Sequence, residues 1–488
     1  MMKDQKRTPL FDRILDYINE ETTPFHVPAH KMGKGIPSKW KDFTGENIFK
    51  MDLTEVQGLD DLHQAEGVIQ EAQKLAAEAW GADSSYFLVN GTSGGIVASI
   101  CTVAKQGEKI IVPRNSHKST VYGLIVSGAV PVYISPEIDQ EKGLVGGILP
   151  STLQKAYRDN KEAKGMIAVS PTYYGICSDI KRLIEITHQY NGIFIADEAH
   201  GNHVYFHEKL PKGALYLGAD LCCQSIHKMS GSLGQSSILH TKGNRVDVNR
   251  LKANLQMMQS TSPSYILMVS LDLARSNMAT EGHKLLGNLI ELTEKARKQI
   301  EKIPFIEVLG PSITGIHGVA EYEPARLVIS ARKLGMQGYE LYKLLRKDYK
   351  IEIEFGDYFY GVCILGIYTT QDELDRLVRA LEDISTRYRG QKEQLVWNEE
   401  LPPIPPQIIT PREAYFADVE KVPWSRAKGR IIADMVVPYP PGIPAICPGE
   451  LITDEVWDFL DAQRKAERHF HGPEDGSLTY IQVVSKLG

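Results

Sequence analysis

A lysine stands among small and polar neighbours in Ser225-Ile226-His227-Lys228-Met229-Ser230-Gly231, just after the apolar run 219–223. Lysine is rarely buried without a task, and burial moves it toward the uncharged amine that attacks carbonyls. Upstream, Ile193-Phe194-Ile195-Ala196-Asp197-Glu198-Ala199-His200-Gly201 is an apolar run that ends in an acid. A buried strand delivers a carboxylate in this way to a site at its C-terminal end. A strand-end Asp followed by a strand-end Lys is the pairing that pyridoxal phosphate needs. The lysine holds the aldehyde as a Schiff base, and the aspartate keeps the pyridine nitrogen protonated. Each piece also has a plain structural reading, a polar turn for Lys228 and a helix cap for Asp197. Asp-Glu-Ala-His further occurs in helicases, but these need a Gly-x-x-x-x-Gly-Lys-Ser/Thr phosphate loop, which the chain does not contain.

The elements that must position these groups alternate. A helix is expected over 8–20 and another over 68–80, closed by Gly81. Strand 86–89 leads through Asn90-Gly91-Thr92-Ser93-Gly94-Gly95 into helix 96–104. Small hydroxyl and glycine residues at a helix start leave backbone N–H groups free for a phosphate dianion, although an ordinary N-capped turn has the same composition. Strand 109–112 precedes Arg114-Asn115-Ser116-His117-Lys118-Ser119 and a helix to Ser127; strand 130–134, helix 153–158, strand 166–170, helix 180–190 and the Asp197 strand follow. His117 is of a type that stacks on a cofactor ring, or it is simply a satisfied polar turn residue.

This alternation predicts a mainly parallel sheet wrapped by helices, with its site at the strand C-termini. A helix over 284–303 closes that domain, and strand 326–331, helix 338–349, strand 351–355 and helix 371–387 make a smaller α/β domain. Leu401-Pro402-Pro403-Ile404-Pro405-Pro406 reads as a stiff linker. A C-terminal α+β domain follows, with the proline-rich run 439–450 ending at Glu450. The expected blocks are an N-terminal segment 1–50, a large domain 51–305, a small domain 306–395 and a C-terminal domain 396–488. The loop Pro24-Phe25-His26-Val27-Pro28-Ala29-His30-Lys31-Met32-Gly33-Lys34-Gly35, with two prolines and two glycines, cannot be regular structure and carries two histidines and two lysines.

Composition narrows the field. The 488 residues carry a net charge of −6, and without a long basic run nucleic acid is not an expected partner. No apolar stretch is long enough to cross a bilayer, and no signal core follows the charged start. The six cysteines are scattered, with no Cys-x-x-Cys and no metal site expected. The expected location is the cytoplasm.

Taken in order, Phe25-His26-Val27-Pro28-Ala29-His30-Lys31, Leu59-Asp60-Asp61-Leu62-His63, Gly91-Thr92-Ser93-Gly94, Asp197-Glu198-Ala199-His200-Gly201, Ser225-Ile226-His227-Lys228, Tyr439-Pro440-Pro441-Gly442 and Pro448-Gly449-Glu450 resemble the Orn/Lys/Arg decarboxylases. That family has the aspartate-aminotransferase fold (fold type I). The resemblance covers nearly the whole chain, and the combination is specific where each piece is not. The length is that of the short form without an N-terminal wing domain, similar to the biosynthetic arginine decarboxylases of Gram-positive bacteria. One departure is Ala29, where the family usually has glycine.

The resemblance implies a pyridoxal-phosphate enzyme with Lys228 as the Schiff-base lysine and Asp197 as the pyridinium partner. His117 would stack on one ring face and Ala199 lie against the other. Thr92, Ser93, Gly94, Ser225 and His227 would hold the phosphate, joined by Thr261 and Ser262 from a partner chain. His30, His200 and Glu450 would lie near the substrate, with Lys228 or His227 as the acid that protonates Cα. It further implies a homodimer or larger homo-oligomer with shared active sites, and conversion of L-arginine to agmatine and CO2 for polyamine synthesis. Lysine and ornithine are the alternative substrates. An aminotransferase or other fold type I lyase is the more distant alternative, and a non-catalytic regulator would tend to lose the lysine. For Glu450 the local chemistry leaves two readings, a rigid acid for a planar guanidinium or a cap on the helix pattern near Thr453.

Overall fold

The computed structural model describes residues 4–397, 400–438, 442–466 and 468–486; Tyr439, Pro440 and Pro441 of the proline-rich run lie outside them. The chain forms two compact units that interleave along the sequence. One contains residues 1–102, 195–288 and 366–368, the other 103–194, 289–365 and 369–488.

In the first unit, strands Ser84–Leu88, Ser237–Thr241, Leu221–Gln224 and the end of Ile193–Asp197 lie side by side in that order. The last two pair in parallel, while Ser237–Thr241 runs antiparallel to both of its neighbours. Every residue of Leu221–Gln224 and Ser237–Thr241 is buried, as expected of strands covered on both faces. The reversed strand had no counterpart among the expected elements, because Ser237 and His240 interrupt its apolar run. The helix expected from residue 96 starts at Gly91, so Thr92, Ser93 and Gly94 form its first turn. Glycines lower helix propensity and so suggest a turn. Here packing overrides propensity: a methyl group on Gly95 would overlap the Cys223 sulphur and the Leu88 side chain of the sheet below.

A 36-residue helix, Tyr265–Ile300, begins well before the expected residue 284. Its first half holds a buried ion pair, Asp272 Oδ1 with Arg275 NH2 at 2.6 Å, and those polar residues hide the apolar stripe. The pair fastens the N-terminus: Arg275 NH1 donates to the Gln5 carbonyl (2.6 Å), and the Leu10 amide, in the first turn of the short helix Pro9–Asn19, donates to Asp272 (3.1 Å).

A buried polar chain crosses the same sheet. Gln224 Nε2 donates to Glu198 Oε2 (2.8 Å), which leaves Gln224 Oε1 to accept from His240 Nε2 (3.3 Å). His240 Nδ1 is then the acceptor for the Ser85 hydroxyl (2.7 Å). Burial drives the His240 ring down to a pKa of about 3, so it is neutral. Burial pushes the Glu198 carboxyl up, against four donors: Cys222 Sγ, the Ala214 amide, the Tyr205 hydroxyl and Gln224.

In the second unit, strands Gly165–Val169, Lys109–Pro113 and Val130–Ile134 are adjacent in that order and parallel where their register is seen. A four-stranded antiparallel sheet follows, in the order Glu307–Val308, Arg326–Ser330, Tyr360–Ile364, Phe355–Gly356, with helices Gly338–Asp348 and Gln371–Tyr388. The strand expected over 351–355 shrinks to Phe355–Gly356. Lys350 adopts a left-handed conformation (φ 57°), the Ile351 amide turns back to the Leu345 carbonyl (3.0 Å), and pairing across begins with the Glu354 amide on the Val362 carbonyl (2.9 Å). The C-terminal part is α+β, as expected: Asp418–Pro423 pairs with Tyr480–Lys486, helix Asp454–Lys465 packs nearby, and Trp424, Ile432, Val436, Ile446, Val456, Leu460 and Val483 form its core.

Two measurements check these points. Gly95→Ala should lower the melting temperature, since overpacking a close contact costs about 1–3 kcal/mol, whereas Gly366→Ala, where a methyl meets open space, should not. An unchanged Gly95→Ala melt would remove the packing role. For His240, the unfolded ring titrates at 6.5 and the folded one near 3, so the folded state binds fewer protons in between. Its stability contribution is complete above 6.5 and is lost as pH falls toward 3, by up to about 1.4 kcal/mol per pH unit. Melts of His240→Gln should show a flatter acid limb; the wild-type slope persisting in that variant would contradict the assignment.

Candidate active site

Asp197 ends its strand and is 2% exposed, with Oδ1 accepting the Ala199 amide at 3.1 Å. Lys228 sits in the single helical turn Ile226–Met229 after strand Leu221–Gln224. Its Nζ lies 2.8 Å from Nε2 of His200, which follows Asp197 by three residues. A hydrogen bond needs one donor and one acceptor, so an ammonium at Lys228 faces an unprotonated His200 nitrogen, or a protonated nitrogen faces a free amine. Either way a proton can pass between the two groups.

The loops that carry them are locked together. Asn202 Nδ2 donates to the Ser225 carbonyl (2.8 Å), its Oδ1 accepts from the Ser230 hydroxyl, and its carbonyl accepts Trp80 Nε1 (2.9 Å). Glu198, next to Asp197 in sequence, points into the buried polar chain of the sheet and anchors the turn from below. His227 Nδ1 is 2.9 Å from the Ser236 carbonyl, which makes Nδ1 its donor.

Beside this pair lies a cradle suited to an oxyanion. Thr92 Oγ1 is 2.6 Å from Ser225 Oγ and 3.0 Å from Ser237 Oγ, and all three hydroxyls are buried. The first-turn amides of Thr92 and Ser93 have no intrahelical acceptor, and the helix dipole adds positive potential there. Gly91, at φ 72°, lets the chain turn into this helix. A lysine amine, a buried strand-end carboxylate and a hydroxyl-lined helix start, all within the first unit, fit the aldehyde, pyridine nitrogen and phosphate of pyridoxal phosphate.

Other expected site residues lie elsewhere in this unit. Thr261 and Ser262 are exposed, in a turn fastened by His63 Nε2 to the Ser260 carbonyl (2.7 Å). His30 is held at both nitrogens: Nδ1 accepts the Gly33 amide (3.2 Å) and Nε2 donates to Asp52 (3.1 Å).

The second unit holds the other two. His117 is the N-cap of helix Lys118–Ser127, its Nδ1 accepting from the Ser119 amide (3.2 Å) and hydroxyl (2.8 Å). Glu450 is wholly buried: one oxygen accepts from Arg114 NH2 and the other from the Cys447 amide (2.7 Å). It does not cap the following helix; Thr453 does, through its hydroxyl and the Val456 amide (3.3 Å). Arg114 was not singled out by the sequence, where it is one polar residue of a turn. Its only signal there is a position directly after a buried strand. Among the described residues, one further group brings possible metal ligands together, His207, Glu208 and His283, with atoms within 4.8 Å of one another. His283 Nε2 lies 2.9 Å from Glu208 Oε2 there, and the two rings stack at 4.6 Å.

The family models named Orn/Lys/Arg decarboxylase, major domain, and Orn/Lys/Arg decarboxylase, C-terminal domain, match residues 8–367 and 397–476. The arginine decarboxylase of Bacillus subtilis is 40% identical over 486 residues, covering 99% of both chains. Lysine decarboxylase LdcA of Pseudomonas aeruginosa is 25% identical, over 95% of this chain and 77% of its own. In structure, the Francisella novicida lysine decarboxylase LdcF superposes with a TM-score of 0.84 at 23% identity, over 98% of this chain and 81% of that one. A ureidoglycine-glyoxylate aminotransferase of Bacillus subtilis shares the fold more loosely, at 0.54 and 13% over 67% and 86% of the two chains. The chain belongs to the Orn/Lys/Arg decarboxylase family and is a decarboxylase of basic amino acids.

Proposed function

We propose that the substrate is L-arginine, released as agmatine and CO2 for polyamine synthesis, and that the enzyme uses pyridoxal phosphate carried on Lys228. The observation that carries this reading is the Lys228–His200 contact at 2.8 Å, set between a buried strand-end Asp197 and the Thr92–Ser225 hydroxyls. When bound, the cofactor supplies the electron sink that accepts the pair left behind as CO2 departs.

The chain supplies the rest. Asp197, buried at the strand end, offers the negative charge that keeps a pyridine nitrogen protonated. The amides of Thr92 and Ser93 and the small Gly94 beside them, with the Ser225 hydroxyl and His227, hold the phosphate. Ala199 and His117 flank the ring by family resemblance. His200 accepts a proton from Lys228 Nζ and returns it, which frees an amine and then restores an acid for Cα. Lys228 or His227 is the final proton donor, each on the same helical turn. His30 serves the substrate end by the same resemblance.

Arginine is favoured over lysine or ornithine because relatives named arginine decarboxylase reach 40% identity over the full length, against 25% for LdcA. A homo-oligomer with active sites shared between chains is part of the proposal. It is supported by exposed apolar residues near the N-terminus, Phe25 at 91% and Phe43 at 90% with Val27 and Trp40, and by the exposed Thr261 and Ser262. Among the described residues the six cysteines form no disulfide, as suits a reducing cytoplasm.

CO2 release at equal, low concentrations of the three amino acids should give the highest kcat/KM for arginine; a higher value for lysine or ornithine overturns the substrate. Asp197→Asn should lower kcat on the order of 10²-fold or more, a typical loss for one preorganised charge, while cofactor binding weakens less. Near wild-type turnover in that variant would remove its role.

A further inference from the structure

We infer that Glu450 is the internal counter-ion of Arg114, that the pair positions the turn carrying His117, and that Glu450 is not a ligand of the substrate guanidinium. The inference rests on the proposed role of His117 beside the cofactor.

Arg114 extends strand Lys109–Pro113 by one residue, its amide bonded to the Ile134 carbonyl (2.8 Å). Its side chain is 2% exposed and filled on every side. NH2 donates to Glu450 Oε1, NH1 points at Cys447 Sγ (2.7 Å), and the guanidinium lies 4.2 Å from the Tyr133 ring centroid. Each Glu450 oxygen already carries an internal donor, Arg114 on Oε1 and the Cys447 amide on Oε2, so a planar fork would have to share both oxygens with the chain itself. Its backbone is equally fixed: the Glu450 carbonyl accepts the Ile432 amide (2.9 Å), and Gly449 and Pro448 are held by Ile408 and Gln407.

A second guanidinium would have to enter a wholly buried place and share Glu450 with Arg114, or displace Arg114 and leave a buried cation unpaired. It would also approach a like charge. The site the sequence suggested for a substrate guanidinium is thus occupied by the chain's own. Three residues beyond Arg114, His117 caps the next helix, and the Ser116 amide donates to the Pro113 carbonyl (3.1 Å) in between. Glu450 therefore fixes, through Arg114, the start of the turn from which His117 projects. Recognition of the substrate's far end falls to other residues.

The test uses the holoenzyme with Glu450→Gln, Arg114→Lys, Arg114→Gln, the Arg114→Gln/Glu450→Gln double variant and His117→Ala. Three results are expected. Glu450→Gln lowers kcat, with KM for arginine and Ki for agmatine within about threefold of wild type. The double variant loses no more than the worse single, as coupled partners do, and Arg114→Lys recovers part of the Arg114→Gln loss. The circular dichroism of the bound cofactor shifts in Glu450→Gln in the same direction as in His117→Ala. A rise in KM and agmatine Ki on the order of hundredfold, as for a truncated buried ion-pair partner, with Arg114 variants not sharing it, overturns the inference. His117→Ala leaving dichroism and rate untouched instead sinks the assigned role of His117, and with it the positioning claim, while the agmatine Ki still decides whether Glu450 touches substrate. If Glu450→Gln does not fold, Glu450→Asp carries the same measurements.

Discussion

Lys228 and His200 meet at 2.8 Å, where only one of the facing nitrogens can bring a hydrogen to the bond. Much of the first unit serves to keep that contact in place. Asn202 ties the His200 turn to the Lys228 turn, and Trp80 holds Asn202. Glu198 faces away from Asp197 into a line of hydrogen bonds that runs through Gln224 and His240 to Ser85. A polar group buried without partners is costly, whereas this line satisfies donor against acceptor across three strands and the turn that follows a fourth. The two adjacent acids thus divide their tasks: Asp197 ends the strand at the site, and Glu198 anchors the turn below it.

The second unit meets the same problem with a charge instead of a chain of neutral groups. Burial raises the Glu450 carboxyl and the neighbouring Arg114 pulls it back, while burial pushes the Cys447 thiol up to about 11. An ion pair in such a place adds little net stability but penalises any arrangement that separates its members. Its use is geometric. It fixes Cys447 and Glu450 to the strand end that leads to His117.

The strand-end acid was legible because it closes an unbroken apolar run, and the lysine because a short strand-like stretch precedes the small-residue turn that carries it. The helix start at Gly91 was not, because its glycines serve contact with Cys223 and Leu88 rather than flexibility. The antiparallel strand Ser237–Thr241 was hidden by Ser237 and His240, polar residues buried because Thr92 at a helix start satisfies the first, and Ser85 and Gln224 on neighbouring strands the second. Arg114 lay beyond reach for a different reason. Its meaning comes from Glu450, 336 residues away, and no local pattern encodes such a pairing. Ion pairing also changes what Glu450 suggests: a rigid acid after prolines resembles a ligand for arginine, and in the folded chain its arginine is internal.

The identity of the working lysine can be read directly. Borohydride reduction of the holoenzyme, followed by tryptic mapping, fixes the cofactor to the lysine that carries it. The label should appear on the peptide containing Lys228 and disappear when arginine is present in excess at the moment of reduction. Label on any other lysine, or none on Lys228 in an active preparation, would contradict the assignment of this site.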